Sequence, residues 1–516
     1  MKKILSLSLV TTAILLSANE VATLEKVSVV ETANSQIVKD VSDEQLKSAD
    51  LAEALSKNVP SVSIVRRSGI ANDIILRGQK KDNINILLDD AKIHGACPNR
   101  MDPPTSHVLT NNIKSVKVIE GPYDVENFGT LSGLVKVETK EPTKDVHGEV
   151  NLNAGSFGYK KASATVSGGT DKFKLLVSTS TEEGDQYKDG NGDTFSEQQI
   201  AKGFTTDKLY TNSKQKAFEK KTLLTKGQYN ITDDSELKLS YTANRSDEVL
   251  YPAGSMDADY DDSNIYTVGY TARNLGKFSK ELDLDYYYSD VDHPMSTKLR
   301  NSGASYMTAR YKTSANGEKI KNVMEVADSL VTVGLDTSVR NWRGEMYNTN
   351  VATGAISMNS VPLASTDTTN KAIFSKVEKS FGKLDLEVGT RYDYTDIDSS
   401  DSTKTDKKYV GLNANIFAVY NVDEKMKYFA GIGKSSRVPD ARELYSTGMG
   451  AQGNSNLEET KNYEADLGFD KTIENFQIRP KLFYSVLKDY IYNPYTGTGT
   501  PKFENIDAKI YGLDVS

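Results

Sequence analysis

The stretch HGACPNRMDPPTSH, residues 94–107, holds the one cysteine of a 516-residue chain, with a methionine four residues on. Thiolate and thioether sulfurs are soft donors, and together they favour Cu(I) over harder ions. Cys97 and Met101 are i and i+4, so one helical turn would put both on one side. Pro98 suits the first position of such a turn, and Asp102 before Pro103 should leave it. A single helical turn over 98–101 is therefore predicted. Packing explains the same residues equally well, since cysteine commonly behaves as a small hydrophobe and methionine as a gap-filler. A second stretch, DVDHPMSTK (290–298), sets His293 and Met295 two apart. In a strand i and i+2 face the same way, and neutral imidazole is a good copper ligand. With Pro294 between them, the pair also reads as the end of a strand and a loop. By spacing alone neither stretch decides for metal.

These residues need elements to hold them. Met1, Lys2 and Lys3 followed by the apolar run Ile4–Leu16 and then Ser17 and Ala18 read as a secretory signal peptide over 1–18. The run is shorter than the ~20 apolar residues of a spanning helix, and mean hydropathy is −0.51. The mature chain is thus expected to be exported without a transmembrane helix. Export favours disulfides, but one cysteine cannot form one within the chain. Cys97 is a buried small residue, a reactive thiol or a metal ligand. The net charge of −8 and the lack of a basic cluster argue against nucleic acid.

Two textures divide the sequence. Residues 41–142 read as an α+β unit. SDEQLKSADLAEALSKNVP (42–60) predicts a helix capped by Ser42 with Gln45 three residues on. Short strands are predicted at 61–65, 73–78, 83–90, 115–121 and 133–140. From His147 to Ser516 roughly sixteen segments alternate apolar with polar or small residues, at a length near the ~9–11 residues of a tilted membrane strand. Short turns alternate with long polar ones such as 182–204, as in an outer-membrane barrel. A large soluble β-protein would show similar alternation. The 28 tyrosines favour the membrane, because Tyr prefers the water–lipid boundary.

KNVPSVSIVRR, ILRGQ, INILLDDAKI and VKVIEGPYDVENFGTLSGLVKVETKEP follow in that order. This resembles the plug of a TonB-dependent outer-membrane receptor, with Asp89-Asp90 where Asp-Gly is common and Gly129–Gly133 replacing a Gly/Ala-rich run. Upstream, LEKVSVVETA (24–33) resembles the TonB box, an extended peptide able to add a strand to a partner's sheet edge. Arg437, Pro439, Glu443, Leu444, Gly453, Asn454, Leu457 and Tyr463-Glu464 resemble another family segment late in the barrel. The resemblance implies an all-β transmembrane barrel of the 22-stranded type filled by an α+β plug, so about six strands and a terminal aromatic residue are expected to be missing after Ser516.

CPNRMDPPTS further resembles the plug loop of a copper-related subgroup of that family, the OprC/NosA type. Carried over residue by residue, the subgroup implies that Cys97 and Met101 from the plug join His293 and Met295 from the barrel. That set of three sulfurs and one nitrogen is compatible with near-tetrahedral Cu(I). His94 and His107 flank the loop as outer groups of the site or, more simply, as loop polarity. His147 opens the barrel as a structural residue. No G-x-x-x-x-G-K-[ST] motif is present, so energy must come from a partner pulling at the box segment, which the resemblance assigns to TonB and its inner-membrane complex. The expected function is binding and import of copper across the bacterial outer membrane, with copper as substrate and no organic cofactor. Alternatives are a receptor for a metal chelate or haem, and a non-transporting copper-sequestering surface protein. No nucleophile–base pair suggests an enzyme.

Overall fold

The computed structural model describes residues 35–39 (backbone only), 50–108, 110–448, 451–494 and 500–516. The predicted signal peptide and box segment lie outside these residues, as do Ser42 and Gln45.

The first unit holds β1 (Ser35–Lys39), helix α1 (Leu51–Asn58), β2 (Val62–Val65), β3 (Asp73–Leu76) and β4 (Gln79–Lys80). It continues with β5 (Ile84–Leu88), β6 (Ala91–Lys92), β7 (Ile113–Glu120) and β8 (Gly133–Thr139). One sheet has the order β1-β7-β8-β5-β6, and β2-β3-β4 form another. β5 lies parallel to β8 at its centre. All five residues of β5, INILL, are buried, as expected for a strand covered on both faces. Ile74, Leu76, Ile86, Leu88, Val116, Val118, Val135 and Val137 make the core, and Leu51 and Leu55 of α1 close it. The β5–β6 hairpin needs positive φ at both central residues. Asp89 and Asp90 supply it, at +46° and +66°. The Asp89 carboxylate accepts from the Thr139 N–H at 2.9 Å, which offsets the departure from Asp-Gly.

The helix predicted over 42–60 is described over Leu51–Asn58, where Asp50 is its N-cap, and the predicted cap Ser42 lies outside the described residues. Asp50 Oδ1 accepts from the Ala52 N–H at 2.6 Å and Oδ2 from the Asn72 N–H at 2.8 Å. One buried carboxylate therefore holds α1 to the loop before β3. Asp50→Ala should cost about 1–2 kcal/mol in thermal unfolding, since it removes a cap and strands buried donors. Burial pushes the Asp50 carboxyl up to about 7, against ~3.9 in an unfolded chain. The folded form then binds the extra proton between those values, so this contribution to stability shrinks as pH rises from about 4 to 7. A wild-type Tm that does not fall relative to Asp50→Asn over that range would contradict this.

The second unit is a wall of strands, β9 (His147–Ala154), β10 (Lys160–Gly169), β11 (Phe173–Asp185), β12 (Lys216–Thr232), β13 (Ser235–Val249) and β14 (Asp257–Arg273). Then come β15 (Ser279–Ser296), β16 (Ser305–Val326), β17 (Ser329–Asn350), β18 (Ile356–Phe381), β19 (Leu384–Ser399) and β20 (Lys407–Asp423). The last are β21 (Met426–Arg437), β22 (Thr460–Ile473), β23 (Phe476–Ile478), β24 (Pro480–Tyr492) and β25 (Glu504–Val515). Neighbours pair in chain order around a barrel. β23 and β24 both pair with β22 and act as one interrupted arm, so the wall has the sixteen positions that the alternation implies. Residue-by-residue registers join β9 to β10 and β24 to β25. No such register joins β25 to β9 among the described residues.

Outward positions are apolar and uncovered: Leu152, Leu175, Leu239, Leu335, Ile373, Leu412, Ile432, Leu467 and Leu482 are all exposed. Such a band is unfavourable in water and required in lipid, which rejects the soluble β-protein. Tyr241, Tyr266 and Tyr288 line up on this surface with ring centroids 4.7 and 6.2 Å apart. No helix among the described residues is long and apolar enough to cross a membrane.

Polar inward side chains grip the plug. Asn415 donates to the Tyr123 carbonyl at 2.8 Å, and Asn462 and Ser435 to that of Leu131 at 3.1 and 3.0 Å. Arg77 of the ILRGQ motif bonds Asp466 at 2.6 Å and also Glu464. Tyr123 donates to Asp466 at 2.6 Å. A Cβ on Gly431 would come within 2.4 Å of the Phe417 ring and within 2.9 Å of the Tyr123 ring, so glycine there lets the plug seat against the wall.

Candidate metal centre at the plug–barrel boundary

The loop after β6 is folded by its own Asp102. Its carboxylate accepts from the Ala96 and Cys97 N–H groups at 2.5 and 2.8 Å. At Gly95 a Cβ would sit 2.3 Å from the Asp102 carbonyl oxygen, so only glycine allows this closure. The helical turn predicted over 98–101 does not form. The Arg100 N–H bonds the Cys97 carbonyl at 2.9 Å, and Arg100 has φ +58°. Asp102 folds back onto the N–H groups of residues 96 and 97, and this closure turns the chain at Pro98 and Asn99 in a β-turn instead. A 3₁₀ turn, Pro104–His107, follows.

The wall fixes the loop from outside. Trp342 Nε1 donates to the Ala96 carbonyl at 2.8 Å. Arg442 donates to the Pro98 carbonyl and to Asn99 Oδ1, and the Tyr251 hydroxyl donates to the Met101 carbonyl.

His293 and Met295 lie near the end of β15, and both are buried. Pro294 sits inside the strand rather than ending it. On the β14 side the register jumps between Ala258 and Asp262. Three residues of β14 thus oppose two of β15. A bulge is where a ladder tolerates a residue without an N–H, and here Asp261 and His293 are both buried toward the plug.

Cys97 Sγ is 3.8 Å from Met295 Sδ, although the two are 198 residues apart in sequence. Donor atoms of Cys97, Asp102 and His293 lie within 4.8 Å of one another. His293 Nδ1 is 3.2 Å from Asp261 Oδ1, and its Nε2 is buried with no hydrogen-bond partner. That is how a ligating histidine is set, one nitrogen oriented by a carboxylate and the other left for a metal. Met101 is partly buried and packs on the same cluster as Cys97 and Met295. Of the four sequence-predicted residues, three have their donor side chains gathered at one point and Met101 borders them. The arrangement offers two or three sulfurs and an imidazole, a donor set suited to soft ions.

His94 belongs elsewhere. It faces a cavity lined by Asp82, Lys92, Arg100, Arg340 and Asp440. Burial holds its imidazole well below the usual range, and Arg340 and Lys92 add to this. His147 is exposed at the start of β9. Neither Asp102 nor Asp261 is singled out by the sequence as a site residue. Asp102 adjoins the Cys–Met pair, whereas Asp261, one acid in DADYDD, carries no distinguishing signal.

A sixteen-position wall with a lipid-facing belt, filled by an α+β domain, defines a plugged outer-membrane barrel. Residues 151–516 match the family described as TonB dependent receptor-like, beta-barrel, and residues 26–133 match the TonB-dependent Receptor Plug Domain. The chain belongs to the TonB-dependent receptor family, outer-membrane transporters whose membership implies a TonB complex as partner. No curated protein sequence matches it. Among solved structures it is similar to one titled copper transporter OprC, with TM-score 0.81 and 20% identity over 93% of this chain and 77% of the other. It is also similar to the FrpB iron transporter from Neisseria meningitidis, with TM-score 0.71 and 16% identity over 93% and 76%. A third is the siderophore receptor PirA from Acinetobacter baumannii, with TM-score 0.72 and 14% identity over 94% and 78%. Likenesses this distant establish the fold, and their cargoes differ.

Proposed function

We propose that this receptor binds and imports copper, held as Cu(I) by Cys97, Met101, His293 and Met295. The observation that carries the reading is the meeting of the plug thiol with Met295, 3.8 Å away on the wall, beside a His293 Nε2 that has no other partner. Thiolate and thioether donors select Cu(I) from the ions a bacterium meets. Residues 1–18 serve as signal peptide, 24–33 as the TonB box, 41–142 as plug and 147–516 as barrel. The plug blocks the lumen, so passage requires its rearrangement under energy from the TonB complex.

A chelated metal is the second reading. What favours it is a cavity of about 310 Å³ bordered by Cys97, Arg100, Arg340 and Arg442, with room and positive charge for an anionic carrier. Metal analysis of protein purified from copper-supplemented cells tests both. One copper per chain without an organic ligand is expected. Copper with a carrier supports the chelate, and iron or haem in place of copper removes the proposal.

A further inference from the structure

Beside the sulfur cluster lies a second set of ligating side chains that the copper reading does not use. Donor atoms of Asp102, His107 and Asp261 lie within 4.8 Å of one another. The three residues are 0%, 0% and 3% exposed. His107 comes from the 3₁₀ turn Pro104–His107 of the plug, and Asp261 from the β14 bulge. Neither ring nitrogen of His107 has a hydrogen-bond partner. A wholly buried imidazole without a partner is rare in a folded chain.

The spacing fits an ion better than a hydrogen bond. His107 Nδ1 is 3.9 Å from Asp261 Oδ2, too far for a hydrogen bond. Two ligands at ~2.0–2.2 Å from a four-coordinate ion are about 3.4 Å apart, so a closure of about half an ångström would complete the pair. The other Asp261 oxygen, Oδ1, is engaged by His293, which leaves Oδ2 on the His107 side. Asp102 accepts two backbone N–H bonds, yet a carboxylate has about four acceptor positions. Lys220, which donates to the Ser106 carbonyl at 2.8 Å, bears on Asp261 as a counter-charge.

We infer that Asp102, His107 and Asp261 form a second metal site, for a divalent first-row cation of the zinc class. One nitrogen and two carboxylates contain no sulfur, so the donor set suits divalent ions rather than Cu(I). Two carboxylates and a neutral imidazole balance a dication. The lumen then carries a soft and a harder station side by side across the same plug–wall joint. The inference stands without the copper reading, because none of its ligands is a proposed copper ligand.

The probe is Co²⁺, added to the full-length chain in detergent with Cys97→Ala to remove the thiol. One bound equivalent is expected, with the visible d–d absorption of a nitrogen–oxygen site. His107→Gln in that background should abolish it, and so should the shape-preserving Asp261→Asn. Heat-modifiable migration on gels shows which variants are folded. In Cu(I)-treated protein that keeps Cys97, Co²⁺ should bind without sulfur-to-cobalt charge-transfer absorption. Absence of Co²⁺ binding in folded Cys97→Ala protein overturns the inference. So does binding that survives both His107→Gln and Asp261→Asn, or charge transfer that follows Cys97. Failure of Cu(I) to bind while Co²⁺ still binds would remove only the copper proposal.

Discussion

Cys97→Ala should weaken Cu(I) binding on the order of a thousandfold, roughly 4 kcal/mol at 1.4 kcal/mol per decade. The thiolate is the one anionic soft donor in the set, and it sits 3.8 Å from Met295 Sδ. Met101→Ala should cost less, because a neutral thioether is a weaker donor and Met101 only borders the cluster. His293→Ala and Met295→Ala should also weaken binding, although they belong to the wall. A site built within the 94–107 loop alone would ignore both changes. Affinity should fall as pH drops, since the thiol must lose its proton to bind. Zinc should compete poorly at this site, where thioethers dominate. Competitive titration against a Cu(I) chelator under reducing conditions reads all of this. Unchanged affinity in Cys97→Ala would end the copper-site proposal. A loss there with none in His293→Ala would keep copper but remove the shared plug–wall site.

Deleting residues 24–33 should leave copper bound and abolish its uptake. The segment lies outside the described residues, ahead of β1, and no proposed ligand lies within it. Its proposed role is to reach a partner by strand addition, which would cost the receptor nothing in binding. Uptake of radioactive copper by intact cells, beside metal content of the purified deletion, separates the two effects. Unchanged uptake would show that 24–33 is not the box, and lost binding would show that it shapes the site.

The architecture was legible because it repeats. Period-two alternation survives across the wall from β9 to β25, and INILL announces a strand buried on both faces. Local chemistry was less legible. The i, i+4 spacing of Cys97 and Met101 predicts a helical turn, but Asp102 folds back onto the N–H groups of residues 96 and 97 and the chain turns at Pro98 and Asn99, a closure that spacing does not record. Asp50 caps α1 and its carboxylate also serves Asn72, a long-range bond invisible along the chain, while the predicted cap Ser42 lies outside the described residues. Convergence of Cys97 with His293 and Met295 followed from family resemblance alone. Asp261 and His107 meet only because a bulge in β14 and a 3₁₀ turn in the plug happen to face each other.

β1 sits at the margin of the plug sheet and, among the described residues, is bonded on one side only, from Ser35↔Ile119 to Lys39↔Ser115. A tension applied ahead of Ser35 therefore reaches the ladder at its first rung. Drawn along the strand axis, the five rungs share the load and resist together. Drawn across it, they open in succession from that first rung. Either way β1 can come off without breaking another pairing among the described residues, where β7 is its one partner. A strand at ~3.4 Å per residue is already extended, so its five residues move only by swinging away from β7. Arg77, which bonds Asp466 and Glu464, follows β3 in the other sheet, so losing β1 breaks neither contact. The margin of the plug sheet can thus open while the joint between plug and wall stays made.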